Sequence, residues 1–306
     1  MERIITKTNH AAVVIGGVNM DIGGKTLSKP VLADSNPGII RATPGGVGRN
    51  IAHDMRLLGL DVSLISALGD DFYASAIEES CHELGIDLSM SARFSGQRSS
   101  TYLYVADETG EMHIGISDMD IVKNISPDFL KERMDAISRF DAVVLDANLE
   151  RETIAYAAEN CSSPMYADPV STVKAMKLLP CLSRLRAIKP NALEAEAMTG
   201  ERNMERAADV YLKAGVERVF ISLGSEGMLA ADREKRIHLP CFEGPVINTT
   251  GAGDSATAAI VWADLNQMSL EDTARAALLA GSLTCAHRGA NSPALAELGK
   301  LLKSLL

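Results

Sequence analysis

The feature that most constrains this chain is a turn of small residues followed by an apolar segment near the C-terminal end. The turn, residues 248–254, reads Asn-Thr-Thr-Gly-Ala-Gly-Asp, and the small residues that follow from Ser255 onward predict a closely packed helix. A helix N-terminus has unpaired N–H donors and the positive end of the helix dipole, so it can hold an anion. We therefore predict an anion site at Gly251, Ala252 and Gly253.

Asp254 is the residue in this stretch that needs an explanation. A carboxylate beside an anion site repels the anion, so it is placed usefully only if it takes a proton from a hydroxyl that attacks phosphorus. The neighbouring N–H groups would then stabilise charge on the phosphoryl group during transfer. This pairing predicts a small-molecule kinase with Asp254 as the base.

Two other interpretations of the turn were weighed. Gly251, Gly253 and Ala256 fit the relaxed Gly-x-Gly-x-x-Ala fingerprint of dinucleotide-binding folds. That fingerprint requires a second strand ending in an acidic residue about 20 residues later. Residues 270–286 have a helical pattern instead, which excludes it. The other alternative stays open: the glycine-rich turn could serve only to start the helix, with no ligand bound there.

Composition limits the partners of the chain. Its 306 residues are 46% hydrophobic and 23% charged, which is typical of a soluble globular protein with a sizeable core. A formal net charge of −10 argues against nucleic acid or an anionic membrane as partner. No apolar run reaches the length of a membrane span. The five cysteines form no Cys-x-x-Cys pair and predict reduced thiols in a cytoplasmic protein.

From residue 141 onward, short apolar segments alternate with helical ones. Strands are predicted at residues 142–146, 165–168, 187–189 and 219–223, with helices starting near residues 150, 172, 192 and 205. Residues 11–16 and 62–66 predict two further strands, and residues 270–306 predict two helices. This alternation indicates an α/β fold with a parallel sheet and helical crossovers.

Two segments interrupt the alternation. Residues 22–43 have little helical periodicity, and residues 98–118 contain two β-prone runs around an Asp-Glu-Thr-Gly turn. They predict a small β-sheet that acts as a lid and excludes water from the ligand crevice. Its open edges would be covered by pairing in a homodimer. We expect one domain over residues 1–306 with these lid segments inserted.

Polar residues after predicted strands are the candidates for substrate binding, because open parallel sheets bind ligands at the carboxyl ends of their strands. Glycines at the start of a helix let the backbone approach a ligand closely. A side-chain amide at the same place can donate and accept hydrogen bonds with hydroxyl groups. A turn cap is the structural alternative for Asp21. The candidates of these two kinds are Asn19, Asp21, Gly45, Gly46, Asn50 and Asn148.

Three further segments are candidates for nucleotide and metal binding. Asn191 and Glu194 open a helix one turn apart, a spacing suited to hydrated Mg²⁺ near phosphates, although the same pair also fits a capping box. Residues 222–227 follow a strand and offer backbone donors to nucleotide phosphate or ribose. Asn291 lies in the 286–293 loop, which follows the anion-site helix and is placed to wall the nucleotide pocket.

Three motifs in this order resemble the ribokinase-like (PfkB) family. They are Gly-x-x-Asn-x-Asp at residues 16–21, Gly-Gly-x-Gly-x-Asn at 45–50 and Thr-Gly-Ala-Gly-Asp at 250–254. The resemblance covers essentially the whole chain, and the last motif is highly specific. It implies an ATP- and Mg²⁺-dependent kinase with a three-layer α/β/α fold, a mostly parallel central sheet and a β-lid that commonly forms a homodimer clasp.

The resemblance also implies residue roles. These are Asp254 as base; Gly251, Ala252 and Gly253 as anion hole; Asp21, Gly45, Gly46 and Asn50 for the sugar; Asn191 and Glu194 for phosphate and Mg²⁺; Ser222, Gly224 and Gly227 for the nucleotide. One departure is Asn248, because members that use potassium often have Asp at this position. An amide carbonyl can still coordinate a cation with one negative charge fewer, so a K⁺ site at Asn248 and Thr250 stays open.

Within the family, residues 33–38, 44–52 and 109–120 look like those of the pseudouridine kinases. A nucleobase with N–H and C=O groups needs polar partners, which Asp34, Ser35, Thr101 and Asp118 would supply from the lid. The prediction is therefore phosphorylation of the 5′-hydroxyl of pseudouridine. Another nucleoside or a free sugar as acceptor, such as adenosine, ribose or fructose, stays open. So does a non-catalytic nucleotide or sugar sensor on the same fold.

Overall fold

The computed structural model describes residues 10–305, so residues 1–9 and 306 of the predicted domain lie outside it. The strands are β1 (Ala11–Ile15), β2 (Asn19–Thr26), β3 (Gly38–Gly45), β4 (Asp61–Ile65), β5 (Ala67–Leu68), β6 (Ala92–Arg93), β7 (Thr101–Ala106), β8 (Met112–Asp118), β9 (Ala142–Asp146), β10 (Met165–Asp168), β11 (Leu185–Ile188), β12 (Arg218–Ser222), β13 (Met228–Ala231) and β14 (Arg236–Leu239). The α-helices are α1 (Val47–Leu57), α2 (Phe72–Glu83), α3 (Pro127–Lys131), α4 (Met134–Ile137), α5 (Arg151–Asn160), α6 (Thr172–Ala175), α7 (Ala192–Thr199), α8 (Met204–Lys213), α9 (Ala252–Leu265), α10 (Leu270–Cys285) and α11 (Leu298–Leu305).

The central sheet has the strand order β14-β13-β12-β11-β10-β9-β1-β4. Strands from β4 to β12 pair in parallel, and their apolar runs are buried because helices cover both faces. At one edge, β12, β13 and β14 pair antiparallel. The sequence analysis did not predict β13 and β14.

The side chains of β1 alternate between two cores. Val14 packs in the core that contains residues of α1, α9 and α10. Val13 and Ile15 pack in the core that contains residues of α5, α7 and α8. Because successive strand residues point to opposite faces, helices cover the sheet on both sides. This confirms the predicted three-layer α/β/α architecture with a mostly parallel sheet.

Helix α9 is buried along most of its length, with an unbroken run of buried residues from 255 to 263. Its small side chains let it lie close to the sheet, to α1 and to α10. The helix begins after Gly251, whose φ is 83°. A Cβ at Gly251 would lie 1.9 Å from the carbonyl oxygen of Ala290. Both the left-handed conformation and this close approach require glycine.

A second, small sheet has the order β3-β2-β7-β8, with β2 and β7 parallel and the outer pairs antiparallel. Its strands come from the two predicted lid segments. One boundary differs from the prediction, because β2 begins at Asn19. Asn19 and Asp21 therefore lie on the first strand of this small sheet and not at the end of β1.

The structure also bears on membrane spans and on the state of the cysteines. No helix within residues 10–305 combines the length and the apolar character that crossing a membrane requires. All five cysteines fall within these residues, and all are free thiols. The cytoplasmic location stays a prediction.

Candidate active site

The first turn of α9, where the sequence predicts an anion site, is uncapped and contains a carboxylate. No side chain caps this N-terminus, and its N-cap residue is Gly251. The Ala252 N–H makes a long hydrogen bond of 3.3 Å to the carbonyl oxygen of Thr249, whereas no partner lies four residues before Gly253 or Asp254 for their N–H groups to reach within the helix. These two groups are therefore available to a ligand. Asp254 lies in this turn, and Asn50 Nδ2 on α1 donates a 2.9 Å hydrogen bond to Asp254 Oδ2. The uncapped helix end and the carboxylate therefore lie next to each other.

Asp254 is one of three carboxylates that meet at the ends of the parallel strands. Asp146 ends β9 and Asp168 ends β10, and the two are partners in the strand register. Burial, and then the charge of Asp168, raise the pKa of Asp254 to about 7, against the hydrogen bond from Asn50. Burial also raises the pKa of Asp146 to about 6. Asp254 is therefore poised to accept a proton near neutral pH.

Lys189, immediately after β11, is a residue of this site that the sequence analysis did not single out. Its side chain is buried, and its Nζ lies 3.5 Å from Asp168 Oδ2. A Cβ at Gly253 would lie 3.1 Å from this Nζ. The ammonium is therefore directly beneath residues 251–254, which we call the anion turn. Burial lowers the pKa of Lys189, but three neighbouring carboxylates raise it above its usual value. A lysine at the end of a buried strand was the available signal, because buried lysines are rare unless paired.

The raised pKa of Asp254 predicts how activity depends on pH. Only the ionised carboxylate can accept a proton, so kcat/KM for the acceptor should rise with pH, bend near 7 and then level off. Below the bend, the rate should fall about tenfold per pH unit. The measurement is kcat/KM between pH 5.5 and 9. Asn50→Ala removes a donor that favours the ionised form, so it should move the bend to higher pH. A profile that is flat down to pH 5.5 would contradict the prediction.

Asn19, Asp21 and the two glycines before α1 form one contact group. Asn19 Nδ2 donates a 2.5 Å hydrogen bond to Asp21 Oδ1. A Cβ at Gly45 would lie 2.1 Å from Asp21 Oδ2, and one at Gly46 would lie 2.9 Å from Asn19 Oδ1. The glycines therefore make room for both polar side chains at the start of α1, three residues from Asn50. Burial raises the pKa of Asp21. The structure therefore brings these five predicted residues together at the start of α1.

Asn148 is held by a network at the end of β9. Its Nδ2 donates to Asp146 Oδ2 at 3.1 Å, and its Oδ1 accepts a 2.6 Å hydrogen bond from Lys174 Nζ on α6. Asp146 Oδ2 also accepts from the N–H of Gly17 at 2.8 Å. Asn148 therefore lies between the carboxylate cluster and a half-buried lysine that the sequence interpretation did not single out.

The strand register corrects the placement of two predicted lid residues. Asp21 is opposite Tyr102 in the β2–β7 ladder, whereas Thr101 is opposite Met20 and Asp118. Cross-strand partners project from the same face of a sheet. Thr101 and Asp118 therefore project from the face opposite to Asp21, and Arg98 pairs with Asp118 there. The predicted contact of Thr101 and Asp118 with a nucleobase would therefore not come from the face that carries Asp21, and it stays a prediction.

Asp34 and Ser35 lie in the turn between β2 and β3, at the other end of β2 from Asp21. They lie in the exposed turn that follows Thr26, where Asp34 Oδ1 accepts a 2.7 Å hydrogen bond from the Ser35 N–H. Thr26 is five residues beyond Asp21 on β2, which corresponds to about 16 Å of strand. The structure therefore places both residues at the far end of the small sheet and not in the crevice.

Asn191 and Glu194 form a capping box at the start of α7. This is the structural alternative to their predicted role in binding phosphate and Mg²⁺. Asn191 Oδ1 accepts from the Glu194 N–H, and Glu194 Oε2 accepts from the Asn191 N–H, both at 2.9 Å. Burial raises the pKa of Glu194, and Lys189 lowers it. Within residues 10–305, no group of three histidine, cysteine or carboxylate side chains has the geometry to hold a metal ion. A metal bound near Glu194 would thus take most ligands from phosphate and water.

Ser222 lies beside Asn191, because the two residues form an isolated parallel bridge. Gly224 and Gly227 follow in the turn between β12 and β13, with φ values of 61° and 101°. The structure therefore groups all the predicted nucleotide residues of this turn next to the N-terminus of α7. Two of their backbone donors are already used, because the Ser222 N–H donates to the carbonyl oxygen of Pro190 at 2.9 Å and the Gly227 N–H to that of Gly224 at 3.2 Å.

Asn291 is turned toward α1, and its contact with a nucleotide stays a prediction. Its Nδ2 donates to the carbonyl oxygen of Asn50 at 3.1 Å and to Asp54 Oδ1 at 2.9 Å. Asp54 is fully buried, and burial raises its pKa well above the usual value. The amide of Asn291 therefore fixes the 286–293 loop to the helix that carries Asn50.

Asn248 joins two loops. Its Nδ2 donates to the carbonyl oxygen of Arg288 at 3.1 Å, and its Oδ1 accepts from the Thr250 N–H at 3.0 Å. An aspartate could accept the second bond but could not donate the first. Both ends of the amide are therefore engaged within the loops, and a K⁺ site at Asn248 and Thr250 stays a prediction.

The fold and this site together define the class of small-molecule kinases that have the ribokinase fold. Residues 9–297 match the family described as pfkB family carbohydrate kinase, and the chain belongs to that family. The pseudouridine kinase of Escherichia coli (strain K12) is 34% identical, over 92% of this chain and 93% of its own. Kinases of this family are phosphotransferases that act on hydroxyl groups.

Solved structures agree on the fold. A carbohydrate kinase from Agrobacterium tumefaciens matches with a TM-score of 0.83 at 26% identity, covering 95% of this chain and 97% of that one. A ribokinase of Arabidopsis thaliana complexed with ribose and ATP matches with a TM-score of 0.84 at 22% identity, covering 97% and 99%. The second match shows the fold alone, and its bound ATP belongs to that protein.

Proposed function

We propose that this chain transfers the terminal phosphoryl group of ATP to the 5′-hydroxyl of pseudouridine. The observation that carries the kinase assignment is Asp254, held by Asn50 beside the uncapped N-terminus of α9 with a pKa near 7. The acceptor is supported by the 34% identity to a pseudouridine kinase. Cytoplasmic location is part of the proposal and is supported by the free cysteines.

The nucleotide site fits ATP on two observations. The first turn of α9 presents backbone donors that no side chain satisfies, and the buried Lys189 ammonium lies beneath Gly253. Both favour negative charge at the same point. Bound ATP, with Mg²⁺, would supply the electrophilic phosphorus. Ser222, Gly224 and Gly227 would hold the nucleotide, and Asn191 and Glu194 would orient phosphates and hydrated metal.

In the proposed reaction, Asp254 removes the proton of the 5′-hydroxyl as its oxygen bonds to phosphorus. The bond between that phosphorus and the bridging oxygen of ATP breaks, and its electron pair stays on this oxygen, which leaves with ADP. The proton of the hydroxyl ends on Asp254. Asn50 orients Asp254 by its hydrogen bond. The N–H groups of residues 251–253 stabilise charge on the equatorial oxygens of the phosphoryl group. Asn19 and Asp21 hold the ribose hydroxyls, which fixes the distance of the 5′-oxygen from Asp254.

The acceptor is tested by ADP release with pseudouridine, uridine, adenosine and ribose under identical conditions. We expect kcat/KM to be highest for pseudouridine. Equal or higher values for another acceptor would replace pseudouridine by that compound within the same kinase class. Absence of ADP release with every acceptor would favour the non-catalytic sensor instead.

We also propose that the chain forms a homodimer through the small sheet. Its face opposite Asp21 carries apolar side chains from all four strands, and three of them are more than half exposed. The side chains of this face include Ile22, Ile40, Leu103, Ile114 and Ile116. A second copy of the same face is the partner that matches this chemistry in an isologous contact.

Analytical ultracentrifugation should show that the wild-type protein is a dimer and that Ile116→Lys, which places a charge on this face, weakens the dimer. A monomeric wild-type protein would refute the proposed dimer.

A further inference from the structure

Asp54 on α1 is a buried carboxyl group that the proposed reaction does not use. Its side chain is fully buried, and Asn291 Nδ2 donates a 2.9 Å hydrogen bond to its Oδ1. Its Oδ2 has no hydrogen-bond partner in the described part of the chain. Arg49 on the same helix donates to Pro44 and Ser80 and not to Asp54. The side chain of Asp54 is therefore held by one bond, which comes from the 286–293 loop.

The surroundings of Asp54 favour its neutral form. Burial raises the pKa of Asp54 well above its usual value, against the hydrogen bond from Asn291. A buried carboxylate with a single hydrogen bond and no ion pair would be costly in its charged form. The use of Asp54 is thus to accept a hydrogen bond from Asn291, and an asparagine at this position can do the same.

The amide of Asn291 links α1 to the anion turn. Besides its bond to Asp54, Nδ2 donates to the carbonyl oxygen of Asn50 at 3.1 Å, and a carbonyl oxygen only accepts, so Nδ2 must face the helix. The preceding residue, Ala290, packs against the first residue of the turn, because a Cβ at Gly251 would lie 1.9 Å from its carbonyl oxygen. The backbone that supports the turn is therefore one residue from the amide that Asp54 holds.

From these contacts we propose that Asp54 is a positioning residue for ATP. Through Asn291 it holds the carbonyl of Ala290 against Gly251, and so keeps the N–H groups of the anion turn directed at the phosphates. The inference rests on the proposed function, in which this turn binds the phosphoryl group. Without a hydrogen-bond acceptor at position 54, one N–H of Asn291 loses its partner, the loop is free to shift and the turn loses its support.

The proposed role separates the two substrates. Asn19 and Asp21, which hold the ribose hydroxyls in the proposed reaction, lie on β2 and have no bond to the 286–293 loop. Loss of the contact at Asp54 should therefore weaken binding of ATP and leave binding of pseudouridine nearly unchanged. A general loss of folded protein would instead affect both substrates alike.

The experiment compares Asp54→Leu, Asp54→Asn and Ile51→Val. It measures KM for ATP, KM for pseudouridine, and the dissociation constant of a non-hydrolysable ATP analogue by calorimetry. Asp54→Leu removes the hydrogen-bond acceptor, so KM for ATP and the dissociation constant should rise about 3- to 10-fold, the usual effect of one hydrogen bond. Asp54→Asn keeps the acceptor and should stay within about twofold of wild type. Ile51, equally buried on α1, is the control for packing, and Ile51→Val should leave KM for ATP within about twofold.

Asn291→Ala tests the same contact from the loop and leaves the core unchanged, so it provides the answer if Asp54→Leu does not fold. It should reproduce the rise in KM for ATP, and adding it to Asp54→Leu should cause little further loss. Additive losses, unchanged affinity for the analogue in Asp54→Leu or in Asn291→Ala, or an equal rise in KM for pseudouridine would overturn the positioning role. So would a loss in Asp54→Asn as large as in Asp54→Leu.

The two proposals fail in different ways. If the wild-type protein prefers another phosphoryl acceptor, only pseudouridine is replaced, and the same variants test Asp54 with that compound. If it releases ADP with no acceptor, the kinase proposal fails, whereas binding of the analogue still tests Asp54. A wild-type protein that does not bind the analogue would refute both.

Discussion

Replacing Asp254 with asparagine is expected to lower kcat by about 10²–10⁴-fold, the usual contribution of a general base. The amide has nearly the same shape, so Asn50 and the anion turn keep their places, but it cannot accept the proton of the attacking hydroxyl. KM for acceptor and ATP should change little, because the lost interaction matters only as the proton moves. Steady-state kinetics at pH 8, where wild-type Asp254 is mostly ionised, measure the difference.

Stability provides the control for this substitution. The folded-state pKa of Asp254 is raised above that of an unfolded carboxyl, so its contribution to the free energy of unfolding is present at low pH and lost as pH rises through about 7. At pH 8, Asp254→Asn should therefore be at least as stable as wild type. Low activity in a stable protein would support the base role; retained turnover would remove Asp254 from it.

Lys189→Met should be the most destabilising of the substitutions considered. It removes the cation that faces Asp168 and Asp254 and leaves buried carboxylates without compensation, which typically costs about 3–5 kcal/mol of unfolding free energy. The acid limb of the pH–activity profile should also move to higher pH, because Lys189 lowers the pKa of Asp254. Denaturant unfolding and the pH dependence of kcat/KM measure the two effects.

Two variants separate the charge of Lys189 from its packing. Lys174→Met removes a half-buried lysine whose hydrogen-bond partner is the neutral amide of Asn148, so it should cost less. Adding Asp168→Asn to Lys189→Met should recover part of the lost stability, because the unpaired charge is then reduced. Additive losses in the double variant would show that the two residues do not act as an ion pair.

The order of elements and the anion turn could be predicted from the sequence because they depend on local patterns. The run of small residues after Gly253 and the apolar runs before Asp146 and Asp168 are visible without knowledge of tertiary contacts. Lys189 is different. Its importance arises from the strand register that sets its ammonium beneath Gly253, which no local pattern encodes.

The lid shows why contacts were harder to predict than elements. Both β-prone runs were found, but a shift of one residue in register exchanges the two faces of a strand. Polar character favoured Thr101, whereas the pairing places Tyr102 beside Asp21. Similarly, Asn191 and Asn291 have the chemistry of ligand contacts, yet a cap and a helix carbonyl satisfy much of their hydrogen-bonding capacity. Such internal partners can be seen only in three dimensions.

The early start of β2 would couple acceptor binding to the position of the small sheet. Asn19 and Asp21 belong to the same hydrogen-bonded ladder as the rest of that sheet, so a movement of the sheet would carry them with it. In the proposed reaction, an acceptor that binds these two side chains would therefore also hold the sheet over the phosphoryl group. Without such an acceptor the sheet would not be held there, which would limit hydrolysis of ATP by water.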